Sequence, residues 1–232
     1  FVINIAETKK VYVEKINIFG NNITQEKFIR NQLIVDEGDP LNKILQTRSI
    51  NKLRGTNIFE SVSYKVKEGS NNNKKIIDIN VVEKSTGEIF AGAGVGTSGG
   101  TVSFGIKENN YLGTGTKLDT SLALGADTFT GLLSIRRPNF RYSDNSLNTV
   151  FESSKTDKLT NFGYDNRKNG FEIGTSYEQY KNFYFTPAIS TYHEKLTTNN
   201  IASANLKKQT GNYFNVNFNY STVLDKRNKP YQ

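Results

Sequence analysis

Cysteine, methionine and tryptophan are absent from this 232-residue chain, histidine occurs once, and proline four times. Without cysteine there is neither a disulfide nor a thiolate metal site, and a lone imidazole, His193, leaves no second ring for a histidine-based one. No run of about 18 apolar residues occurs, which excludes a spanning helix. A mean hydropathy of −0.56 suits a soluble protein, yet a transmembrane barrel, polar on its inner side, gives an equally weak signal. Phe1 opens straight into the alternating run VINI with no basic and apolar leader before it, so the chain is expected to be a piece of a longer protein. The net charge of +8 is evenly spread: residues 1–87 hold 14 Lys/Arg against 10 Asp/Glu and the remainder 16 against 12. A nucleic-acid domain concentrates its basic residues on one face, so this dispersal argues against a nucleic-acid partner.

Glycine, in contrast, is locally abundant. Nine of the nineteen glycines fall between Gly87 and Gly115, and there the chain changes its period. Before that stretch, Val11–Phe19 alternates as a strand and Gly20-Asn21-Asn22 signals a turn. Thr24 is placed to cap a helix over QEKFIRNQLIV, with Phe28, Ile29 and Leu33 on one face. Glu37-Gly38-Asp39-Pro40 breaks the chain. A second helix is expected from about Leu41 to Arg54, with Leu41, Ile44, Leu45 and Leu53 inward and Gly55 ending it. Strands at Phe59–Lys67 and Lys75–Val82, joined by GSNNN, complete a β-α-α-β-β order.

After that stretch only strand-length alternation remains. Val102, Phe104 and Ile106 alternate with Ser103, Gly105 and Lys107, and Phe214, Val216, Phe218 and Tyr220 with Asn215, Asn217, Asn219 and Ser221. One face is apolar and the other polar, as lipid outside and water inside require. Eight strands are expected, at about 88–98, 100–111, 116–126, 129–137, 146–155, 169–180, 183–193 and 212–223. Pro187 weakens the seventh, because proline belongs at an edge or bulge. Tyr111, Tyr142, Tyr177, Tyr180, Tyr184, Tyr192 and Tyr220 fall near strand ends, as interface girdles do. Long polar links follow the strands ending near 155 and 193, whereas LGTG, PNFRYSDN and QYKN are short or moderate. Since barrels place short turns in the periplasm, the N-terminal domain is expected to be periplasmic.

No residue pattern promises chemistry. Gly94–Gly99 matches G-x-G-x-x-G, but the strand TVSFGI follows where a phosphate-binding helix is needed. His193-Glu194 lies at the mouth of a long loop and reads as an exposed, non-catalytic pair. No catalytic, cofactor-binding or metal-ligating residue is assigned, and the chain is not expected to be an enzyme. The first strand of the second part stands out instead. Gly92, Gly94 and Gly96 alternate with Ala91, Ala93 and Val95, and each strand-interior glycine costs about 0.5–1 kcal/mol relative to alanine. Ile89–Gly96 should hold its neighbours loosely.

The segment VYVEKINIFGNN…SVSYKV, residues 11–66, closely resembles a POTRA repeat. VVEKSTGEIFAGAGVGTSGG in turn resembles the passage from the last POTRA domain into the first barrel strand of the BamA-type family of outer-membrane assembly factors, within the POTRA-plus-barrel superfamily. One departure is local: Gly55-Thr56-Asn57-Ile58-Phe59 stands where the repeat carries a Leu-Gly-aromatic-Phe step. The resemblance implies three parts: 1–10, the end of a preceding repeat; 11–84, a POTRA domain; and 85–232, the N-terminal half of an outer-membrane β-barrel. It also implies a lateral seam at Ile89, Ala91, Gly92, Ala93, Gly94, Val95 and Gly96, where a client strand pairs, and an accessory-partner contact at Glu37 and Gly38. The implied partners are unfolded outer-membrane clients, accessory lipoproteins and the bilayer. The alternative within the superfamily is a two-partner-secretion transporter.

Overall fold

The computed structural model describes residues 10–96 and 99–226; the expected end of a preceding repeat, residues 1–10, lies almost wholly outside them. Two compact units form: one from the described residues up to Ser85 with Leu112–Gly115, the other from Thr86–Tyr111 and Thr116–Lys226.

In the first unit, β1 (Tyr12–Phe19), α1 (Glu26–Arg30), α2 (Lys43–Gly55), β2 (Phe59–Glu68) and β3 (Lys74–Glu83) keep the expected order. The sheet runs β1-β3-β2, with β3 parallel to β1 and antiparallel to β2. A bulge between Val13 and Lys15 lets Val13 and Ile16, three residues apart, point to the same buried face. The core gathers there with Ile29, Leu53 and Ile58 fully buried, each contributing about 1.5–3 kcal/mol of transfer free energy.

Two local expectations fail for identifiable reasons. Thr24 is not a cap: α1 begins one residue later behind Gln25, and Thr24 is buried with its amide donated to Glu83. The second helix is capped by Asn42, whose side chain accepts from the amides of Ile44 and Leu45, and it buries Gln46, Ser49, Ile50 and Leu53. Ile44, expected inside, is 66% exposed. The inward stripe tolerates Ser49 because its hydroxyl is fully used, donating to the Leu45 carbonyl and accepting from the Ile34 amide.

The second unit is an antiparallel sheet of eight strands: β4 (Gly87–Gly96), β5 (Gly99–Tyr111), β6 (Thr116–Gly125), β7 (Thr128–Arg137), β8 (Ser146–Lys158), β9 (Tyr164–Tyr180), β10 (Phe183–Thr198) and β11 (Gly211–Leu224). Neighbours in sequence are neighbours in the sheet throughout. No ladder joins β4 to β11 among the described residues, so the sheet is an open barrel fragment. The register sets whole rows on one face: Ile89, Ile106, Thr120, Leu133, Phe151, Phe171, Thr191 and Val216 lie side by side across all eight strands. This apolar face is the exposed one, Phe104, Phe151, Ile189 and Phe218 all standing in the open, as lipid-facing residues must. At the short-turn end, Tyr177, Phe185 and Tyr220 form an aromatic chain with ring centroids 5.8 and 6.3 Å apart. Tyr184 and Tyr192, expected with them, lie on the polar face opposite Glu178 and Gly170.

Strands β8, β9 and β10 run for 13, 17 and 16 residues, beyond the 9–11 that span a bilayer. The polar stretch expected as a loop after 193 opens with five further residues of β10, ending at Thr198, and the one expected after 155 is largely strand. Charge pairing across the hairpin explains this: Lys155 lies 2.9 Å from Asp157 and 3.4 Å from Asp165, and Arg167 3.1 Å from Asp165. Pro187, expected at an edge or bulge, sits within β10 between β9 and β11. The β9 ladder simply skips Thr186 and Pro187, and the Thr186 hydroxyl donates to Ser176 at 2.8 Å instead.

Candidate functional site

The expected seam residues Ile89, Ala91, Gly92, Ala93, Gly94, Val95 and Gly96 all lie in β4, an edge strand that among the described residues is paired only with β5. Every residue of β4 is exposed, Ile89 by 85% and Val95 by 94%. Glycine is not forced on the strand's far half by geometry. A Cβ built on Gly94 or Gly96 meets nothing within 4 Å, and neither residue has a positive φ. Gly92 is tighter, with the Ser103 hydroxyl 3.0 Å from such a Cβ.

The near half of β4 is anchored, by residues that sequence reasoning passed over. Phe90 lies over Gly105 directly across the ladder, filling the space where a side chain there would stand, and the Lys107 ammonium sits 5.5 Å from its ring. Just before the strand, the Thr86 hydroxyl donates to Glu108, and the Thr86 carbonyl accepts from the Asn109 amide at 3.2 Å. Beyond Gly92 the strand has its backbone ladder and the weak donation of the Ser103 hydroxyl to the Gly92 carbonyl at 3.5 Å. Side-chain anchoring of the strand is thus concentrated at Thr86–Phe90 and sparse at Gly92–Gly96. Pairing an aromatic with a glycine across a hairpin is readable from sequence once the register is known.

Glu37 and Gly38 lie on a segment that runs along the open edge of β1. The Gly38 amide donates to the Val13 carbonyl at 2.7 Å, the Val13 amide to the Asp39 carbonyl at 2.9 Å, and the Leu41 amide to the Val11 carbonyl at 2.8 Å. The Glu37 carboxylate accepts from the Ile16 amide at 2.9 Å and pairs with Arg30 at 3.4 Å. The Ile16 amide, with Arg30 and Lys15 nearby, holds its pKa below the ordinary 4.5 against a smaller effect of burial. Its side chain is still 44% exposed. With β1 edged in this way, β2 is the sheet's free edge beyond Val62, whose carbonyl accepts from Arg54 at 2.7 Å.

A third carboxylate, Glu83, closes the opposite end of the domain. It accepts the amides of Asn22, Ile23 and Thr24 at 2.9, 2.9 and 2.6 Å, gathering the β1–α1 loop onto the end of β3. Burial raises its pKa, but the Thr24 hydroxyl and these three amides outweigh it, and the net shift is downward from 4.5. A depressed carboxylate stabilises the fold above its unfolded pKa, and that support disappears as pH falls through the lower folded value.

His193 lies on the apolar face opposite Asn169 and Phe214, whereas Glu194 points to the other face and accepts from Asn166 at 2.8 Å. The two do not form a His–carboxylate pair. Among the described residues no group of three His, Asp or Glu side chains is placed to hold a metal.

The POTRA model, described as a surface antigen variable number repeat, matches residues 11–84, and the Omp85 superfamily domain matches residues 110–232, more than half of the chain. The chain belongs to the Omp85 superfamily. Among Omp85 relatives, the outer membrane protein assembly factor BamA of Neisseria meningitidis serogroup B is 28% identical over 186 residues, covering 78% of this chain and 22% of that protein. The crystal structure of BamA from Haemophilus ducreyi lacking POTRA domains 1–3 superposes with a TM-score of 0.74 at 21% identity, over 93% of this chain and 44% of that one. CdiB from Acinetobacter baumannii shares the fold at a TM-score of 0.56 and 12% identity, over 92% of this chain and 42% of that one. The chain therefore spans about a fifth of the length of this curated Omp85 relative. A POTRA-like region followed by an open eight-stranded barrel sheet is the architecture that the sequence pattern led one to expect.

Proposed function

We propose that this chain is the last POTRA domain, 11–84, and the first barrel half, 85–232, of an outer-membrane factor that folds and inserts other β-barrel proteins. The observation that carries this reading is the state of β4: an edge strand, exposed along its whole length, pinned at one end and bare at the other. Unpaired backbone amides and carbonyls on such an edge template an incoming strand with little demand on its sequence. No ATP or catalytic side chain is needed, because each new ladder bond replaces one the client made to water.

In this reading the POTRA domain lies in the periplasm and presents the free edge of β2 to extended client segments, while Glu37 and Gly38 contact an accessory lipoprotein. The exposed part of the Glu37 carboxylate is available to a basic partner because Ile16 and Arg30 hold it ionised and fixed. Assembly is favoured over the secretion alternative by the sequence relatives, which are named as outer membrane protein assembly factors, and by the weaker likeness to CdiB.

Cysteines placed at Gly94 and in the terminal strand of a nascent client barrel test the reading in the full-length protein. A disulfide adduct that rises and falls during client assembly is expected. Absence of any adduct while clients assemble normally excludes β4 as the template.

A further inference from the structure

The extended arms of β8, β9 and β10 carry a row of cations on the lipid-facing side that the assembly reading leaves unused. Lys155 is directly opposite Arg167, and Arg167 directly opposite Lys195, all on the face that carries Phe151, Phe171 and Ile189. Directly opposed side chains have their Cβ atoms about 4.5–5.5 Å apart, and like charges at that spacing destabilise a sheet. The acids of the arms only partly relieve this. Asp157 and Asp165, opposite each other one outward position nearer the loop, hold Lys155 between them, and Asp165 reaches the Nε of Arg167. Arg167 is 60% exposed with the rest of its guanidinium unused, and Lys195 is exposed with no acid in ion-pair range among the described residues. Glu194 cannot help, since it points to the other face.

Depth identifies the environment. Ten residues along β9 separate Tyr177 of the aromatic belt from Arg167. At about 3.4 Å per residue and a tilt of about 45°, that is roughly 24 Å, the height of a barrel's apolar band. Arg167 and Lys195 therefore stand at the bilayer rim opposite the short turns, where headgroups lie and long basic side chains extend towards them.

We propose that the row Lys155–Arg167–Lys195 docks the phosphorylated headgroup of a lipid in the leaflet facing away from the short turns, the phosphate lying between Arg167 and Lys195 and cancelling their repulsion. Arg167 offers a planar fork to the phosphate oxygens, and Lys195 adds a point charge. The proposal rests on the reading of the sheet as part of a membrane barrel.

The test uses full-length protein in nanodiscs, with lipid retention measured by native mass spectrometry for a bis-phosphorylated glucosamine lipid and its dephosphorylated counterpart. Arg167→Gln with Lys195→Gln is expected to weaken retention of the phosphorylated lipid about thirtyfold, roughly fivefold for each charge. Lys195→Gln alone, at an exposed and unpaired position, is expected to give the fivefold effect even if the double variant folds poorly. Lys168→Gln, on the same hairpin but facing the polar side over Tyr192, should leave retention unchanged. Equal retention by wild type and both variants overturns the proposal, as does displacement of the lipid by an equal concentration of inorganic phosphate, which marks a simple anion site. Failure of wild type and variants alike to enter nanodiscs overturns the barrel reading and this proposal with it.

Discussion

Full-length protein carrying Gly94→Val and Gly96→Val should fold and insert, yet lose about tenfold or more of its barrel-assembly activity. The steric cost is nil, because both side chains enter open space at ordinary strand dihedrals. The gain in strand stability is real: removing each glycine returns about 0.5–1 kcal/mol of chain entropy, and valine adds up to about 1 kcal/mol of β preference. Two substitutions together hold β4 to β5 more tightly by about 1–4 kcal/mol. If release of the Gly92–Gly96 half limits templating, each 1.4 kcal/mol slows it about tenfold. The activity is read as the folded level of client barrels in cells that depend on the variant. Such a loss of function accompanied by a gain of stability distinguishes a weak edge from one whose glycines merely make room.

Gly20→Val should have the opposite character, unfolding the POTRA domain. Gly20 sits at φ +87°, and a Cβ there would lie 2.1 Å from the Val81 carbonyl oxygen, which is backbone and cannot rotate away. A β-branched residue in the left-handed region costs about 1–2 kcal/mol, and forced overpacking about 1–3 kcal/mol more. The combined roughly 2–5 kcal/mol corresponds to a drop of some 10–30 °C in the unfolding midpoint of a domain of this size. Thermal unfolding of the full-length protein, followed by exchange at the β1 amides, measures it. Gly38→Ala is the matched comparison: at φ +97° with nothing within 4 Å, it keeps the dihedral strain and lacks the clash, so it should cost only about 1–2 kcal/mol. A Gly20→Val midpoint no lower than that of Gly38→Ala would show that the close approach to Val81 has no energetic weight.

Periodicity carried most of the fold, and its failures are instructive. Alternation placed all eight barrel strands because a lipid face and a water face impose period two along the whole span. It stopped short on β8, β9 and β10, since a strand extending past the bilayer has no apolar face to betray it. What holds those arms is Lys155 between Asp157 and Asp165, a cross-strand pairing invisible until the register is known. The same applies to Tyr184 and Tyr192, whose rings suggested the interface but whose parity along β10 sends them to the polar side. In the POTRA domain, Ile44 looked like core and Ser49 was not among the residues expected inward, because the hydrogen bonds that satisfy Ser49 come from Leu45 and from Ile34 on another segment. Composition made the glycine density of β4 legible. That side-chain anchoring is confined to one half of the strand became visible only with Phe90 seated over Gly105.

The central claim is that β4 is loose from Gly92 to Gly96 and that this looseness is how the protein works. Amide hydrogen exchange along β4 in the full-length protein in bilayers tests it most directly, with the central strand β7 as internal standard. The account predicts that Gly92–Gly96 exchanges at least about tenfold faster than Leu132–Ile135 of β7, and that the double valine variant slows it by about tenfold as assembly activity falls. Protection at Gly92–Gly96 equal to that of β7 in the wild-type protein would contradict it.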